Sequence, residues 1–233
     1  MLVFGAILKW TAAAAGLSGL ALAALLGIHQ PSFDAPGLRT VTLPGGTSLL
    51  VMPREVTRRE WKACADAGAC EDLTGSIAPS APDTPMTGVN RFDVEAYLAW
   101  INGRGSTVYR LPAAPEWRAI AAGLPRKAFA KRFEDPRLAW AANYGAMETI
   151  SGVIRPSGGF GTLANGIADL SGNVWEWTAT CAKDSPDPGR CPAFIVEGLH
   201  ETVLSVFVRD PFSGGCAAGA PPNHVGFRLV SEP

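Results

Sequence analysis

Hydrophobic residues fill the first 28 positions of the chain almost without interruption, and Lys9 carries the only charge among them. The uncharged run that follows, 11–28, is near the lower limit of the ~20 apolar residues that a helix needs to cross a bilayer. Two interpretations stay open: residues 1–28 form a signal-anchor helix, or they form a signal peptide that is cleaved near the small residues 21–23. We favour the anchor because the apolar run also extends from Leu2 to Leu8. Either interpretation predicts that the rest of the chain is exported.

Turn-forming residues replace the apolar run from 29 to 40, which we interpret as a linker. Alternating hydrophobic positions return at 41–43 and 48–52, on either side of a Pro-Gly-Gly turn. Two such runs joined by a glycine-containing turn are typical of a β-hairpin. The sequence therefore predicts that one folded domain occupies residues 41–233.

Helical periodicity appears in three later segments. Thr57 followed by Glu60 forms a capping-box pattern, which predicts a helix over about 58–67. Apolar residues at helical spacing predict further helices over 92–100, with Phe92 in the apolar set, and over 114–122. Several residues are expected to face inward from the first and third helices: Trp61, Cys64, Trp117, Ile120 and Ala121.

The segment 172–177, Gly-Asn-Val-Trp-Glu-Trp, combines a turn signal with two tryptophans that flank a glutamate. In a strand, Trp175 and Trp177 would share one face and Glu176 would lie on the other. A buried carboxylate needs a partner, because an unpaired buried charge costs several kcal/mol. Our candidate for that partner is Arg110.

This segment resembles the GNVWEW signature of the formylglycine-generating enzyme, or sulfatase-modifying factor, domain family. Three further segments resemble family motifs in the same order: Glu55–Trp61 (EVTNxxY/W), Tyr109–Trp117 (RLPTEAEWE) and Gly226–Val230 (a GFRLV strand). The resemblance implies an α+β fold, irregular and loop-rich, of the C-type-lectin-like kind, behind the N-terminal apolar helix. It also implies a structural role for the signature residues Arg110, Glu116, Trp117, Asn173, Trp175, Glu176, Trp177 and Arg228.

The same resemblance implies a calcium ion as a possible cofactor. Asn143 lies in a segment, 140–144, similar to one that holds calcium in the family. Asn165 matches the start of a second calcium loop, and Asp169 lies within it. Calcium prefers carboxylate, amide and carbonyl oxygens. We therefore take Asn143, Asn165 and Asp169 as candidate ligands.

The family enzyme oxidises a cysteine of a sulfatase with two cysteines that bind copper(I), a metal that prefers thiolates. The resemblance places that pair near Val206 and Pro211, where this chain has no cysteine. We therefore do not expect copper, unless Cys216 forms a site with Cys181 or Cys191. Those three cysteines are the only catalytic candidates.

A second class in the superfamily holds iron with three histidines. The chain has three histidines, His29, His200 and His224, and they are widely scattered. We do not expect them to form an iron site.

Five cysteines leave at least one thiol outside a disulfide. Cys64 and Cys70 bracket a short segment with a glycine turn, which suits a disulfide in an oxidising compartment. Cys181 and Cys191 flank a turn-rich loop, and a bond between them or from one of them to Cys216 stays open.

The leading hypothesis is a membrane-tethered, periplasm-facing domain that serves the maturation or assembly of another exported or membrane protein. The segments 196–200 and 214–222 resemble a branch of nitrite-reductase accessory proteins. The alternatives are an oxidase of the formylglycine-generating type, acting on a protein cysteine or a small molecule, and a secreted ligand-binding domain. The expected location is the inner membrane, or the periplasm or exterior after cleavage. A net charge of −1 without a basic run argues against nucleic acid as a partner.

Overall fold

The computed structural model describes residues 37–73, 80–125, 153–182, 191, 193–199, 201–206 and 221–233. The predictions for the apolar segment 1–28, for almost all of the linker, and for Asn143 and Cys216 lie outside these residues. Within the described ranges, no helix has the length and apolar character that a bilayer crossing requires.

These ranges contain three helices and eight strands. The helices are α1 (Arg58–Asp66), α2 (Arg91–Asn102) and α3 (Ala114–Ile120). The strands are β1 (Arg39–Thr42), β2 (Ser48–Val51), β3 (Tyr109–Arg110), β4 (Trp175–Cys181), β5 (Ala193–Glu197), β6 (Thr202–Ser205), β7 (Val225–Gly226) and β8 (Val230–Ser231). They form two sheets, with strand orders β1-β2-β8-β3 and β6-β5-β4-β7.

The predicted hairpin is confirmed: β1 and β2 pair antiparallel, with Thr42 opposite Ser48. Gly45 and Gly46 both have left-handed backbone angles, with φ of 99° and 88°. Glycine adopts such angles without steric cost, so the Pro-Gly-Gly turn fixes the register of the pair.

The carboxy-terminal motif is two short strands rather than the single strand that was predicted. Strand β7 pairs parallel with β4 in one sheet, and β8 lies between β2 and β3 in the other. Residues 227–229 carry the chain from one sheet to the other. Val56 N–H donates to Phe227 O at 2.8 Å and Met52 N–H donates to Leu229 O at 2.9 Å. The crossing segment is thereby attached to residues 52–56.

The capping box of α1 is confirmed, because Glu60 N–H donates to Thr57 Oγ1 and the Glu60 carboxylate accepts from Thr57 N–H. Helix α2 has an equivalent box, in which Asn90 and Asp93 exchange hydrogen bonds. The expected place of Phe92 on the apolar face of α2 is wrong, because its side chain is 54% exposed. The buried apolar residues of α2 begin two positions later and are Val94, Tyr97, Trp100 and Ile101.

Two hydrophobic clusters form the core. The larger one contains Trp61, Tyr97 and Phe227, whose ring centroids lie 5.4–6.4 Å apart. Aromatic pairs at this spacing contribute about 0.5–1.5 kcal/mol beyond the burial of their area. The smaller cluster surrounds Trp117 of α3 and includes Val230 of β8. The crossing segment thus packs in the larger cluster through Phe227 and Leu229, and the strand that follows it packs in the smaller one.

Disulfides join Cys64 to Cys70 and Cys181 to Cys191. The first bond was predicted, and the second is one of the pairings that the sequence left open among Cys181, Cys191 and Cys216. Cys216 is the fifth cysteine of the chain.

Candidate functional site

The signature segment begins with a turn whose shape depends on Asn173. Asn173 has a left-handed φ of 69°, a conformation that asparagine tolerates better than most residues. Its side-chain amide accepts a hydrogen bond from Arg155 N–H at 3.0 Å and donates one to Arg155 O at 3.1 Å. This exchange attaches the turn to the backbone around residue 155 and directs the chain into β4.

Strand β4 buries both of its faces at the signature. Trp175 and Trp177 belong to the larger hydrophobic cluster, and Trp177 Nε1–H donates to Val89 O at 3.0 Å. Trp175 lies against Gly198, where an added Cβ would approach the indole to 3.1 Å. Glu176 points to the opposite side, as the period of two predicts, and lies against Trp117 of the smaller cluster.

Glu176 has Arg228 as its ionic partner, so the expected pairing with Arg110 is wrong. Arg228 Nε–H donates to the two carboxylate oxygens at 2.9 and 2.7 Å, and Nη2–H donates at 2.6 Å. Trp117 Nε1–H donates to Glu176 Oε2 at 2.8 Å. Both ionic side chains are almost fully enclosed, with exposures of 0% for Arg228 and 1% for Glu176.

Arg110 instead lies at the surface end of β3. Its guanidinium donates to both oxygens of Glu116 at 2.7 and 2.8 Å and to Glu232 Oε1 at 2.6 Å. Glu116 also accepts from Ala113 N–H at 2.7 Å, so it closes the first turn of α3. Arg110 and Glu116 are six residues apart in the sequence, so this pairing is local.

The Arg228 guanidinium remains a cation in the core. Burial alone would lower the pKa of Arg228, but the charge and hydrogen bonds of Glu176 raise it above its ordinary value. Nη2–H also donates to Ala168 O at 3.0 Å. The group thus has both an ionic partner and a backbone acceptor, which buried charges require.

Glu55 is a site residue whose chemistry the motif comparison did not reveal. Its side chain is fully buried, and neither carboxyl oxygen has a hydrogen-bond partner in the part of the chain that the structure describes. Burial raises the pKa of Glu55 to about 8, while the nearby charge of Arg228 opposes the increase. The sequence offered one signal for this residue. Glu55 is an acidic residue directly before Val56 and three positions after Met52, where an apolar run ends.

Two of the three candidate calcium ligands, Asn165 and Asp169, lie among the described residues, and both accept hydrogen bonds from backbone N–H groups. Asp169 accepts hydrogen bonds from Gly158 N–H at 2.5 Å and Phe160 N–H at 2.8 Å, so both of its oxygens hold a backbone turn. Asn165 Oδ1 accepts from Ile167 N–H at 3.2 Å. In the described ranges, no three acidic, histidine or cysteine residues form a group that could hold a metal. Asn143 lies outside the described residues, so a calcium ion held by Asn143, Asn165 and Asp169 stays a prediction.

The remaining candidates for chemistry are cysteines and histidines, only some of which the structure describes. The disulfide takes up Cys181 and Cys191, and Cys216 and His200 lie outside the described residues. The ring of His224 lies 5.8 Å from that of Trp175, edge to face. The structure therefore brings Trp117, Glu176 and Arg228 together in an internal ion-pair site, and the place of Cys216 lies outside the described residues.

Comparison with known proteins places the chain in a structural and evolutionary context. The model of the sulfatase-modifying factor enzyme 1-like domain matches residues 36–233. The hercynine oxygenase of Mycolicibacterium thermoresistibile is 32% identical over 125 residues, which cover 51% of this chain and 25% of that protein. That of Mycolicibacterium smegmatis is 32% identical over 147 residues, which cover 60% of this chain and 30% of that protein. The matched region is thus less than a third of these relatives.

Solved structures share the fold at low sequence identity. PvdO from Pseudomonas aeruginosa has a TM-score of 0.54 at 20% identity, covering 85% of this chain and 92% of that one. The Treponema denticola variable protein 1 has a TM-score of 0.54 at 14% identity, covering 84% and 95%. CarF has a TM-score of 0.52 at 16% identity, covering 85% and 94%. These likenesses concern the fold, a mixed arrangement of helices and two sheets.

Proposed function

Because this chain belongs to the sulfatase-modifying factor enzyme 1-like domain family, we propose that it is a maturation or assembly partner of another exported or membrane protein. In this proposal, residues 1–28 tether the domain to the inner membrane and the domain faces the periplasm. The domain uses the family scaffold for binding rather than for copper-dependent oxidation.

The observation that carries this proposal is the pairing of the cysteines in disulfides. Two disulfides take up four of the five cysteines, which leaves Cys216 as the one thiol of the chain. Two thiolates are the expected minimum for holding copper(I) in the manner of the family enzyme. The positions where the resemblance places that pair are Val206 and Pro211. A chain with both disulfides closed can thus supply only one of the two sulfur ligands.

The signature residues Glu176 and Arg228 support the same conclusion, because they bind each other inside the core. Glu176 accepts from Arg228 and Trp117, and its side chain is 1% exposed. A carboxylate in this position stabilises the domain and has no access to a substrate. Fold and function are separable properties, so a family scaffold can be retained for another use.

Thiol trapping combined with copper(I) titration tests the proposal. In the denatured, unreduced full chain we expect mass spectrometry to find alkylation at Cys216 alone. We expect no stoichiometric copper(I) binding in competition with a chelator, and no difference between the wild type and Cys216→Ser. Stoichiometric binding that Cys216→Ser abolishes would overturn the proposal.

Association in the native membrane tests the partner. After mild solubilisation and chemical cross-linking, we expect the chain in a complex that is larger than its monomer. Recovery as a free monomer under all cross-linking conditions contradicts an assembly role. A variant that lacks residues 1–28 serves as the control for the tether, because it should leave the membrane fraction.

The second candidate function is an oxidoreductase, and the hercynine oxygenase relatives favour it. Such an activity would require the Cys181–Cys191 bridge to open so that one of its thiols could join Cys216. Mild reduction should then create a copper(I) site that Cys181→Ser or Cys191→Ser changes. Under the accessory proposal, the same reduction creates no site.

A further inference from the structure

Three buried carboxyl groups interact electrostatically with one buried guanidinium at the carboxy-terminal crossing. Glu55, Asp169 and Glu176 have exposures of 0%, 2% and 1%, and Arg228 has 0%. Each of the three carboxyl groups interacts electrostatically with Arg228. They come from the segment after β2, from the loop before β4 and from β4 itself, so this cluster lies where the crossing meets both sheets.

The three carboxyl groups of this cluster differ in the number of hydrogen bonds that they accept. Glu176 receives donors from Arg228 and from the Trp117 indole. Asp169 receives two backbone N–H donors, from Gly158 and Phe160. No other described residue donates a hydrogen bond to the Glu55 carboxyl, and its own backbone N–H interacts with it too weakly to offset burial.

The charges in the cluster do not balance if every group is ionised. Three carboxylates and one guanidinium would leave two uncompensated negative charges in a region without solvent. Burial penalises the charged form of a carboxyl group, and hydrogen-bond donors offset that penalty. Since Asp169 and Glu176 accept hydrogen bonds from other residues and Glu55 accepts none from another described residue, Glu55 is the member that can hold a proton at the lowest cost.

We propose that Glu55 is a proton-binding site that makes the attachment of the carboxy-terminal crossing sensitive to pH. The folded chain holds this carboxyl neutral at neutral pH. At alkaline pH the proton leaves, and the buried carboxylate favours opening of the contact between residues 52–56 and 227–229 so that water can reach it.

The position of Glu55 in the backbone explains why opening would occur there. The hydrogen bonds from Met52 N–H and Val56 N–H to the crossing segment lie on either side of Glu55. Solvating Glu55 therefore requires at least part of this pairing to separate. The charged groups that face it are Arg228 on the crossing, Glu176 on β4 and Asp169 in the preceding loop. Arg228 favours the ionised form, and the two carboxylates oppose it.

The direction of the pH effect follows from the two states of the chain. Burial raises the pKa of Glu55 from its ordinary 4.5 to about 8 in the folded chain. Its contribution to stability is fully present below the unfolded value and is lost as the pH rises through the folded value. Between those limits the folded state holds one proton more than the unfolded state. The unfolding equilibrium constant should then increase by up to about tenfold per pH unit.

Denaturant unfolding of the purified full chain from pH 5 to 9 tests the proposal with two variants. Glu55→Gln replaces the neutral acid with a neutral amide of the same shape and should remove about one proton of pH dependence. Glu95→Gln, at a half-exposed position of α2, is the matched control and should keep the dependence of the wild type. If Glu55→Gln retains the slope of the wild type, the proposal is overturned.

A measurement on the wild type covers the case in which Glu55→Gln does not fold. Infrared absorption distinguishes a protonated carboxyl group from a carboxylate. At pH 6.5 we expect a protonated-carboxyl band from the folded chain, and we expect it to disappear as the pH rises past about 8. Absence of that band at pH 6.5 overturns the proposal. Both experiments are independent of copper, thiols and partners, so their outcome is separate from that of the proposed function.

Discussion

Arg228 and Glu176 form a buried ion pair that joins two distant motifs of the chain. Arg228 Nε–H and Nη2–H donate to both oxygens of Glu176 at 2.6–2.9 Å. Glu176 belongs to strand β4, and Arg228 lies between β7 of the same sheet and β8 of the other. The pair thus ties β4 to the segment that crosses between the sheets. The motifs 172–177 and 226–230 meet in this buried contact. Their presence in the sequence therefore identifies the fold more securely than it identifies an activity.

Replacement of Arg228 by methionine should destabilise the domain strongly. The variant would leave Glu176 with a buried charge and only the indole donor, and breaking a buried pair in this way costs about 3–5 kcal/mol. Urea unfolding measures the loss. Arg59→Met is the control, because the Arg59–Asp83 pair is about two-thirds exposed and should contribute less than ~1 kcal/mol. Equal losses in the two variants would contradict a structural role for the buried pair.

Trp117→Phe should cost more than Trp177→Phe. Trp117 donates to the charged Glu176, and a hydrogen bond to a charged group contributes about 1.5–3 kcal/mol. Trp177 donates to a neutral backbone oxygen, for which about 0.5–1.5 kcal/mol is typical. Both indoles are buried, so the loss of packing is similar and cancels in the comparison. Thermal unfolding of the two variants measures the difference, and the reverse order would count against the assigned partners.

The features that sequence reasoning predicted correctly are those fixed by nearby residues. The hairpin depends on Gly45 and Gly46, and α1 depends on the exchange between Thr57 and Glu60. The disulfide between Cys64 and Cys70 closes a short segment of the chain, with a sequence separation of 6. In each of these cases the interacting residues are close together in the sequence, so the sequence pattern is sufficient to predict the local structure.

The features that it missed depend on where distant segments meet. Arg110 and Arg228 both lie in motifs, but only the crossing between the sheets brings Arg228 to Glu176. The same crossing divides the motif 226–230 between two sheets, which the apolar pattern does not reveal. The isolation of Glu55 is likewise a property of its three-dimensional surroundings. A motif indicates that such residues are present, whereas the fold determines which residues they contact.

Lowering the pH should reduce the free energy of unfolding by a small amount, because Glu116 becomes protonated and its ion pair with Arg110 is lost. Hydrogen bonds from Arg110 lower the pKa of Glu116, although burial opposes them. A carboxyl group with a lowered pKa stabilises the fold above its unfolded value of 4.5, and this contribution is lost as the pH falls through the folded value. Glu116→Gln should therefore show a shallower loss of stability below about pH 4.5 than the wild type. The ion pair is partly exposed, so the effect should be about 1 kcal/mol or less.

Unfolding curves between pH 3 and 7 measure the Glu116 effect, and 1 M salt provides a control. High ionic strength screens exposed charges, so the difference between the variant and the wild type should decrease. A difference that is independent of both pH and salt would indicate that Glu116 acts through its bond to Ala113 N–H rather than through Arg110.

Gly226→Ala should disrupt the start of the crossing. A Cβ at this position would lie 2.6 Å from Met86 O and 3.3 Å from Val174 Cγ2, and the nearer atom is backbone that cannot rotate away. Overpacking of this kind costs about 1–3 kcal/mol. Gly105→Ala is the matched control, because a Cβ there meets nothing within 4 Å. Denaturant unfolding should show a loss only for Gly226→Ala, and a comparable loss in both variants would contradict the steric account.

Removal of the two disulfides separates the effect of loop length from that of burial. The variants are Cys64→Ala with Cys70→Ala, and Cys181→Ala with Cys191→Ala. Loop-closure entropy gives each bond about 2–3 kcal/mol. It favours the longer loop of the second bond by only about 0.5 kcal/mol. Cys64 and Cys70 are buried in the larger hydrophobic cluster, whereas Cys181 and Cys191 are half-buried.

Loss of contacts in the core adds to the cost of the first pair of substitutions, because a cavity is left where the sulfur atoms were. We therefore expect the Cys64/Cys70 variant to be the less stable one, despite its shorter loop. Urea unfolding under non-reducing conditions measures both variants against the wild type. If the Cys181/Cys191 variant loses more of its unfolding free energy, the entropy of loop closure outweighs burial at these sites. The second bond then contributes more than the first to stability, by holding β4 in the sheet.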